Sequence, residues 1–130
     1  MSPKKVLLAD DEMDVIRVVS ARLKDGGYQV ISAGDGEEAL RLAKEERPDI
    51  VILDIMMPKL DGYKVCRLLK FDHQYKTIVV MMLTARAQPE DMKLAAECGA
   101  DAYMTKPVDF QEFLTKIAQL LAAKEKPAGS

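Results

Sequence analysis

The sequence has 130 residues, of which 48% are apolar and 31% charged, so it is long enough for one globular domain with a full core. Its formal net charge of −2 gives no reason to expect direct binding to nucleic acid. No apolar run reaches the roughly 20 residues of a membrane-spanning helix and no signal peptide is visible, so we expect no membrane partner and a cytoplasmic location.

Short apolar runs and helical patterns alternate along the chain. The sequence predicts strands at 6–9, 28–33, 50–53, 77–83 and 102–104. Between them it predicts a helix capped by Asp11 and ended by Gly26-Gly27, and further helices at 37–46, about 62–71 and 89–98. In the third helix, Val65, Leu68 and Leu69 share the apolar face.

The last helix has the clearest start signal. Asp109 and Glu112 have the spacing of a capping box. Its apolar stripe runs from Phe110 to Leu121, and the polar residues after Lys124 follow it. We therefore expect one domain over residues 1–124 and a polar C-terminal tail over residues 125–130.

This alternation predicts an α/β fold with a parallel sheet and helices on both faces. Right-handed crossovers and the chain length favour the flavodoxin-like doubly wound (βα)5 arrangement with strand order 2-1-3-4-5. Ligands bind such sheets where the strand order reverses, here between the first and third strands. Those strands end on Asp10-Asp11 and on Asp54.

Three carboxylates at one sheet edge would repel one another unless a cation lies between them. Neighbouring strands are about 4.8 Å apart, so side chains at their ends must crowd. An all-oxygen anionic site with few protein ligands suits a hard cation that retains water molecules. Asp10, Asp11 and Asp54 therefore predict a Mg²⁺ site.

Two further strand ends suit phosphate chemistry. Thr84 follows the fourth strand with a hydroxyl, and Lys106 follows the fifth with an ammonium group. A carboxylate nucleophile, a hydroxyl, a lysine and a divalent cation together form a set that binds phosphoryl groups. We expect Asp54 to be the carboxylate that becomes phosphorylated.

The chain resembles the receiver domains of two-component response regulators. The residues that carry the resemblance each follow a strand: Asp10-Asp11-Glu12, Asp54-x-x-Met57-Pro58-x-x-Asp61-Gly62, Thr84-Ala85 and Lys106-Pro107. It covers about residues 4–122.

The resemblance implies a role for each residue. Asp54 would accept a phosphoryl group, and Asp10, Asp11, Asp54 and the backbone carbonyl of Met56 would bind Mg²⁺. Lys106 and Thr84 would contact phosphate oxygens, and the Lys106–Pro107 bond would be cis. Tyr103 matches an aromatic switch position, the alternative being a half-buried aromatic of an edge strand.

The resemblance also implies partners. The phosphoryl donor would be a sensor histidine kinase or a phosphotransfer protein. Phosphorylation would change the surface formed by the fourth helix, fifth strand and fifth helix, where a target, an output domain or a second copy would bind. Such a protein is a signalling phosphoacceptor, an enzyme only in its own phosphorylation and dephosphorylation.

Other classes of protein fit less well. A phosphatase of the Asp-x-Asp type would need an acid where Met56 stands, and an FMN carrier would need a phosphate-binding loop where Asp10-Asp11-Glu12 stands. A receiver used only for docking or dimerisation is the main alternative. Apolar Met56 and Arg86 occupy positions at which the family varies, and Met56 leads us to expect slow loss of phosphate.

The remaining reactive side chains have structural interpretations. The single histidine, His73, lies in a polar segment and is expected at the surface. Cys66 and Cys98 fall inside apolar helical patterns and are expected to be buried thiols.

Overall fold

The structure is a computed structural model that describes residues 3–85 and 88–125. The strands are β1 (Lys5–Ala9), β2 (Gln29–Ala33), β3 (Ile50–Leu53), β4 (Val79–Thr84) and β5 (Ala102–Thr105). The helices are α1 (Met13–Asp25), α2 (Gly36–Glu46), α3 (Gly62–Lys70), α4 (Pro89–Glu97) and α5 (Phe110–Glu125). Arg86 and the predicted tail beyond residue 125 lie outside the described residues.

The predicted fold is confirmed. All five strands are parallel and lie in the order β2-β1-β3-β4-β5. Strand β3 sits between β1 and β4, with Ala9 opposite Leu53 and Leu53 opposite Met82. The ends of β1 and β3, where the acidic residues follow, are therefore adjacent.

The sheet separates two apolar layers. On one face, alternate strand residues such as Leu7, Val51 and Met82 pack against α2, α3 and α4. On the other, Leu8, Ile52 and similar residues pack against α1 and α5. Every residue of β3 and β4 is buried because helices cover both faces, which explains their continuous apolar runs.

Several local predictions need correction. The N-cap of α1 is Glu12, not Asp11, because the chain remains extended for one more residue, and no side chain caps it. Leu68 is 49% exposed, whereas Cys66 is fully buried. The face of α3 that packs against the sheet thus contains Gly62 and Cys66 instead of Leu68.

Side chains cap the starts of α3 and α5. Asp61 is the N-cap of α3, where its carboxylate accepts a hydrogen bond from the Lys64 amide. The Asp109 carboxylate accepts from the Glu112 amide at 3.1 Å. His73 is exposed, as predicted. Among the residues that the structure describes, no helix is long and apolar enough to cross a membrane.

A lysine joins three segments at the sheet edge opposite the acids. Lys70, the last residue of α3, donates from Nζ to the carbonyls of Lys76 and Ile78 and to Asp101 Oδ2. The same Asp101 oxygen accepts from the Val80 amide at 2.8 Å. The starts of β4 and β5 are thereby tied to the end of α3.

Candidate functional site

The parallel ladder brings the first and third strand ends together. The Asp54 amide donates to the Ala9 carbonyl at 3.0 Å, and the Asp10 amide donates to the Ala33 carbonyl at 3.1 Å. Both residues thus continue the ladder for one position beyond their strands. Their side chains emerge at the carboxyl edge, with Asp10 2% exposed and Asp54 6% exposed.

Four acids converge at this edge. One carboxylate oxygen from each of Asp10, Asp11, Glu12 and Asp54 lies within 4.8 Å of the others. Asp11 and Glu12 are exposed, whereas Asp10 and Asp54 are buried. Asp10, Asp11 and Asp54 are the acids from which the sequence predicts a metal site. Glu12 has no role in that prediction, although its position directly after Asp11 is a usable signal.

Lys106 bridges the two buried acids. Its Nζ lies 2.6 Å from Asp10 Oδ2 and 3.2 Å from Asp54 Oδ2. Its own amide donates to the Thr84 carbonyl at 2.8 Å, which fixes the end of β5 against the end of β4. One cation facing two buried anions leaves a net negative charge at the site.

Burial and ion pairing raise the pKa values of Asp10 and Lys106 in the site. Burial raises the pKa of the Asp10 carboxyl above its ordinary 3.8, and the hydrogen bond from Lys106 only partly opposes this. Burial acts to lower the pKa of Lys106, but the hydrogen bond to Asp10 and the charge of Asp54 outweigh it, so the pKa rises above 10.5. The lysine therefore remains charged at neutral pH.

Asp54 has a carboxylate oxygen that its surroundings do not satisfy. Oδ1 is buried and has no hydrogen-bond partner among the described residues, whereas Oδ2 accepts from Lys106. A buried anionic oxygen without a donor is costly unless a cation or a ligand completes it. An orphaned oxygen amid converging carboxylates fits a hard divalent cation such as Mg²⁺.

The remaining predicted site residues line the same edge or lie next to it. Thr84 ends β4 and is 1% exposed, and the Met56 side chain is 59% exposed in the loop after β3. Tyr103 is half-buried on the edge strand β5, opposite Met82, a position compatible with either interpretation given above. The peptide bond between Lys106 and Pro107 is cis.

The loop that carries Asp54 is closely packed. The Gly62 amide donates to the Ile55 carbonyl at 2.9 Å, which folds the loop back on itself. A Cβ on Gly62 would lie 2.2 Å from the Asp54 carbonyl oxygen, so only glycine fits. The start of α3 is therefore in direct contact with the backbone of Asp54.

Known proteins match nearly the whole chain. Residues 6–118 match the family described as "Response regulator receiver domain". The alkaline phosphatase synthesis transcriptional regulatory protein PhoP of Bacillus subtilis is 42% identical over 127 residues, which is 98% of this chain and 52% of PhoP. The DNA-binding dual master transcriptional regulator RpaA of Synechocystis is 38% identical over 122 residues, 94% of this chain and 51% of RpaA. The chain thus spans about half the length of these curated relatives.

Solved structures show the same fold. The signal receiver domain of a histidine kinase from Syntrophus aciditrophicus matches with a TM-score of 0.88 and 32% identity, covering 98% of this chain and 96% of that one. The receiver domain of sensor histidine kinase PA1611 from Pseudomonas aeruginosa matches with a TM-score of 0.86 and 28% identity, covering 92% and 98%. That structure has a magnesium ion coordinated in its active site cleft.

Proposed function

The chain belongs to the response regulator receiver domain family, and from this premise we propose that it is a phosphoacceptor, with Asp54 taking a phosphoryl group from a phosphohistidine. The observation that carries the proposal is that Asp54 is buried and incompletely hydrogen-bonded. It is buried beside Lys106, which also contacts Asp10, and one of its carboxylate oxygens has no hydrogen-bond partner among the described residues. The family is a signalling module rather than a conventional enzyme.

The transfer uses Asp54 as nucleophile. An oxygen of its carboxylate forms a bond to phosphorus while the phosphorus–nitrogen bond of the donor breaks, and the imidazole nitrogen keeps the electron pair. Lys106 already lies 3.2 Å from Asp54 and supplies a positive charge for a phosphoryl oxygen. The Thr84 hydroxyl, at the neighbouring strand end, would donate to another oxygen.

A Mg²⁺ ion would be held by Asp10, Asp11, Asp54 and the backbone carbonyl of Met56, with Glu12 near enough to assist. When bound, it neutralises charge on the phosphoryl group and on the acids. Support comes from the convergence of these carboxylates within 4.8 Å and from the magnesium in the P. aeruginosa relative. The apolar Met56 side chain offers no hydrogen bond to an attacking water, so we expect the phosphate to be lost slowly.

The partners follow from the chemistry. The phosphoryl donor is a sensor histidine kinase or a phosphotransfer protein. The domain that receives the phosphoryl group spans residues 1–124, and residues 125–130 form a polar tail. Phosphorylation changes the surface formed by α4, β5 and α5, through Thr84 and Tyr103. A target protein, an output domain or a second copy of the chain then binds there. The relatives PhoP and RpaA are transcriptional regulators about twice as long, so control of transcription would need more than this domain.

The deciding experiment is incubation with acetyl phosphate in the presence and absence of Mg²⁺, followed by the intact mass. We expect the mass of one phosphoryl group to be added in a Mg²⁺-dependent manner and to vanish in Asp54→Asn. Asp14→Asn is the matched control, because Asp14 is an exposed acid of α1 outside the cluster. Its phosphorylation should equal that of the wild type.

The main alternative is a receiver that docks without being phosphorylated. It predicts no mass increase with any donor, even though the metal binds. Unchanged mass together with Mg²⁺-dependent stabilisation would therefore replace the phosphoacceptor proposal with the docking module.

A further inference from the structure

Helix α4 buries little apolar surface against the rest of the fold. Asp91 and Ala95 are its buried residues, and one of these two carries a carboxylate. Met92 and Leu94 of the same helix are exposed. Elements with little buried apolar surface are the ones that move most readily in a folded protein. The position of α4 therefore depends strongly on its polar contacts.

A buried carboxylate that the phosphoacceptor site does not use holds the first turn of α4. Asp91 is 1% exposed, and its Oδ2 accepts a hydrogen bond from the Gln88 amide at 3.2 Å. The Tyr63 hydroxyl lies 3.0 Å from the Asp91 carbonyl oxygen and 3.1 Å from Asp91 Oδ1, so it donates to this residue. The Tyr63–Asp91 hydrogen bond joins the first turn of α3 to the first turn of α4.

Tyr63 is also next to the loop that carries the phosphoacceptor. The preceding residue, Gly62, donates from its amide to the Ile55 carbonyl at 2.9 Å. Its Cα packs so closely against the Asp54 carbonyl that a Cβ would not fit. A shift of the backbone at Asp54 would therefore displace the first turn of α3, and Tyr63 with it.

The other end of α4 is held by separate contacts. Cys66 and Cys98 are buried free thiols, as predicted, and the Cys66 Sγ lies 3.4 Å from the Cys98 carbonyl oxygen at the C-cap of α4. Gly99 follows with a φ of +87° and packs against the Lys70 side chain of α3. These contacts lie away from the acidic site, so the first turn of α4 can move while its last turn stays against α3.

The Tyr63–Asp91 hydrogen bond opposes one particular movement. Thr84 ends β4 shortly before Gln88, the N-cap of α4. In the proposed phosphoacceptor, Thr84 moves toward the phosphate on Asp54, and this movement pulls on the first turn of α4. Tyr63 holds the same turn in the arrangement of the unphosphorylated protein. The bond thus stabilises that arrangement relative to the phosphorylated one.

We propose that Tyr63 is a positioning residue that couples the Asp54 loop to α4, through a hydrogen bond to Asp91 that opens when Asp54 is phosphorylated. This inference rests on the proposed function, and it adds a path that runs through the start of α3 and does not begin at Thr84. Coupling between two sites is reciprocal. A partner that holds the first turn of α4 in the displaced position would therefore also stabilise the phosphorylated form of Asp54.

The test titrates the full chain with beryllofluoride at saturating Mg²⁺ and follows the bound mimic by fluorine NMR. Tyr63→Phe removes the hydroxyl and keeps the ring. The net effect of one hydrogen bond on an equilibrium is a factor of roughly 2 to 10, so we expect the variant to bind the mimic more tightly than the wild type by about that factor. Loss of a merely structural bond would leave this affinity unchanged or lower it.

Tyr28→Phe is the matched control. Tyr28 is half-buried and packs on the opposite face of the sheet, against the layer covered by α1 and α5. The control removes the same hydroxyl group from a tyrosine that contacts neither the Asp54 loop nor α4. Its affinity for beryllofluoride should equal that of the wild type.

Hydrogen exchange gives a second readout. In the wild type, the mimic should speed the exchange of amides 92–95 in α4 and leave amides 98–100 unchanged. In Tyr63→Phe, amides 92–95 should exchange faster than in the wild type even without the mimic. The wild-type measurement needs no variant, so it decides the question even if Tyr63→Phe folds poorly.

The outcomes separate this inference from the proposed function. Equal affinity of the wild type and Tyr63→Phe for the mimic, or α4 amides that exchange no faster in its presence, would overturn the inference and leave the phosphoacceptor intact. Failure of the wild type to bind beryllofluoride, together with no mass increase from acetyl phosphate, would overturn the phosphoacceptor proposal and this inference with it.

Discussion

The ammonium group of Lys106 lies 2.6 Å from Asp10 Oδ2, although 96 positions separate the two residues in the chain. Its contact with Asp54 is longer, at 3.2 Å. The lysine therefore offsets the repulsion between two buried carboxylates and joins the ends of β1, β3 and β5. The same group would contact phosphate on Asp54, so the contact with Asp10 holds it close to its place of action.

Removing this cation tests how much the site depends on it. Lys106→Met leaves Asp10 and Asp54 facing each other, and we expect the free energy of unfolding without Mg²⁺ to fall by about 2 kcal/mol, since an unpaired buried charge is costly. Added Mg²⁺ should restore part of the loss. Urea unfolding with and without the metal measures both effects. Lys116→Met, an exposed position on α5, is the control and should change neither value.

Removing one acid should have the opposite effect. Asp10→Asn or Asp54→Asn leaves Lys106 with a single anion, and we expect the melting temperature in the absence of Mg²⁺ to rise by roughly 3 °C, for a gain of about 1 kcal/mol. Both variants should lose most of the stabilisation that Mg²⁺ gives the wild type. Thermal unfolding over a Mg²⁺ series checks this. Melting temperatures of the variants below that of the wild type would mean that the carboxylates of Asp10 and Asp54 do not repel each other enough to destabilise the fold.

The raised pKa of Asp10 predicts a pH dependence of stability. The unfolded carboxyl titrates near 3.8, whereas in the folded protein burial raises its pKa, so the folded state binds more protons between the two values. The contribution of Asp10 to stability is therefore full below the unfolded pKa and is lost as pH rises through the folded pKa. Urea midpoints measured without Mg²⁺ from about pH 4 upward should show this loss. The wild-type and Asp10→Asn curves should diverge in that window, and parallel curves would contradict the assignment.

The close packing at Gly62 predicts a severe cost for one methyl group. In Gly62→Ala the new Cβ would lie 2.2 Å from the Asp54 carbonyl oxygen, so the loop must shift. We expect a loss of about 2 kcal/mol or more in unfolding free energy, together with weaker Mg²⁺ binding. Gly34→Ala is the matched control, because nothing lies within 4 Å of its Cβ position, and it should stay within about 0.5 kcal/mol.

Thr84→Ala tests the proposed switch. We expect Asp54 still to be phosphorylated, but the response of β5 to the phosphoryl mimic beryllofluoride to be reduced. Hydrogen exchange of residues 102–105, measured with and without the mimic, reports this response. Thr115→Ala on the exposed side of α5 should behave as the wild type. Equal loss of phosphorylation and of the exchange response would remove Thr84 from the coupling role.

The strand order and the site edge could be predicted because both follow from apolar runs that end on polar residues. Buried β3 and β4 give continuous signals, and their ends identify Asp54 and Thr84. Which flank of an amphipathic helix faces the sheet is less certain from sequence. Leu68 and Cys66 lie on either side of the apolar stripe that contains Val65. Cys66, the smaller residue, is the one that packs against the sheet, and Leu68 is exposed.

The sequence predicts that Asp10, Asp54 and Lys106 meet at one sheet edge, but it does not predict which side chains of distant segments pair with each other. Neither the hydrogen bond of Lys106 to Asp10 nor the meeting of Cys66 with Cys98 has a local signal, because each depends on how whole elements pack. Glu12 differs, since its position beside two acids was visible. Its entry into the cluster depends on its place as the residue just before α1.

The bonds of Lys70 limit how strands β4 and β5 can move. Its three bonds and the one from Val80 to Asp101 anchor the beginnings of both strands to α3. Because these bonds hold the beginnings of β4 and β5, only the carboxyl ends of the two strands are free to move. Any displacement that begins at Thr84 would thus be a rotation of β4 and β5 about the bonds of Lys70. It would be largest at the carboxyl ends of the strands, beside the acids, and smallest at their beginnings.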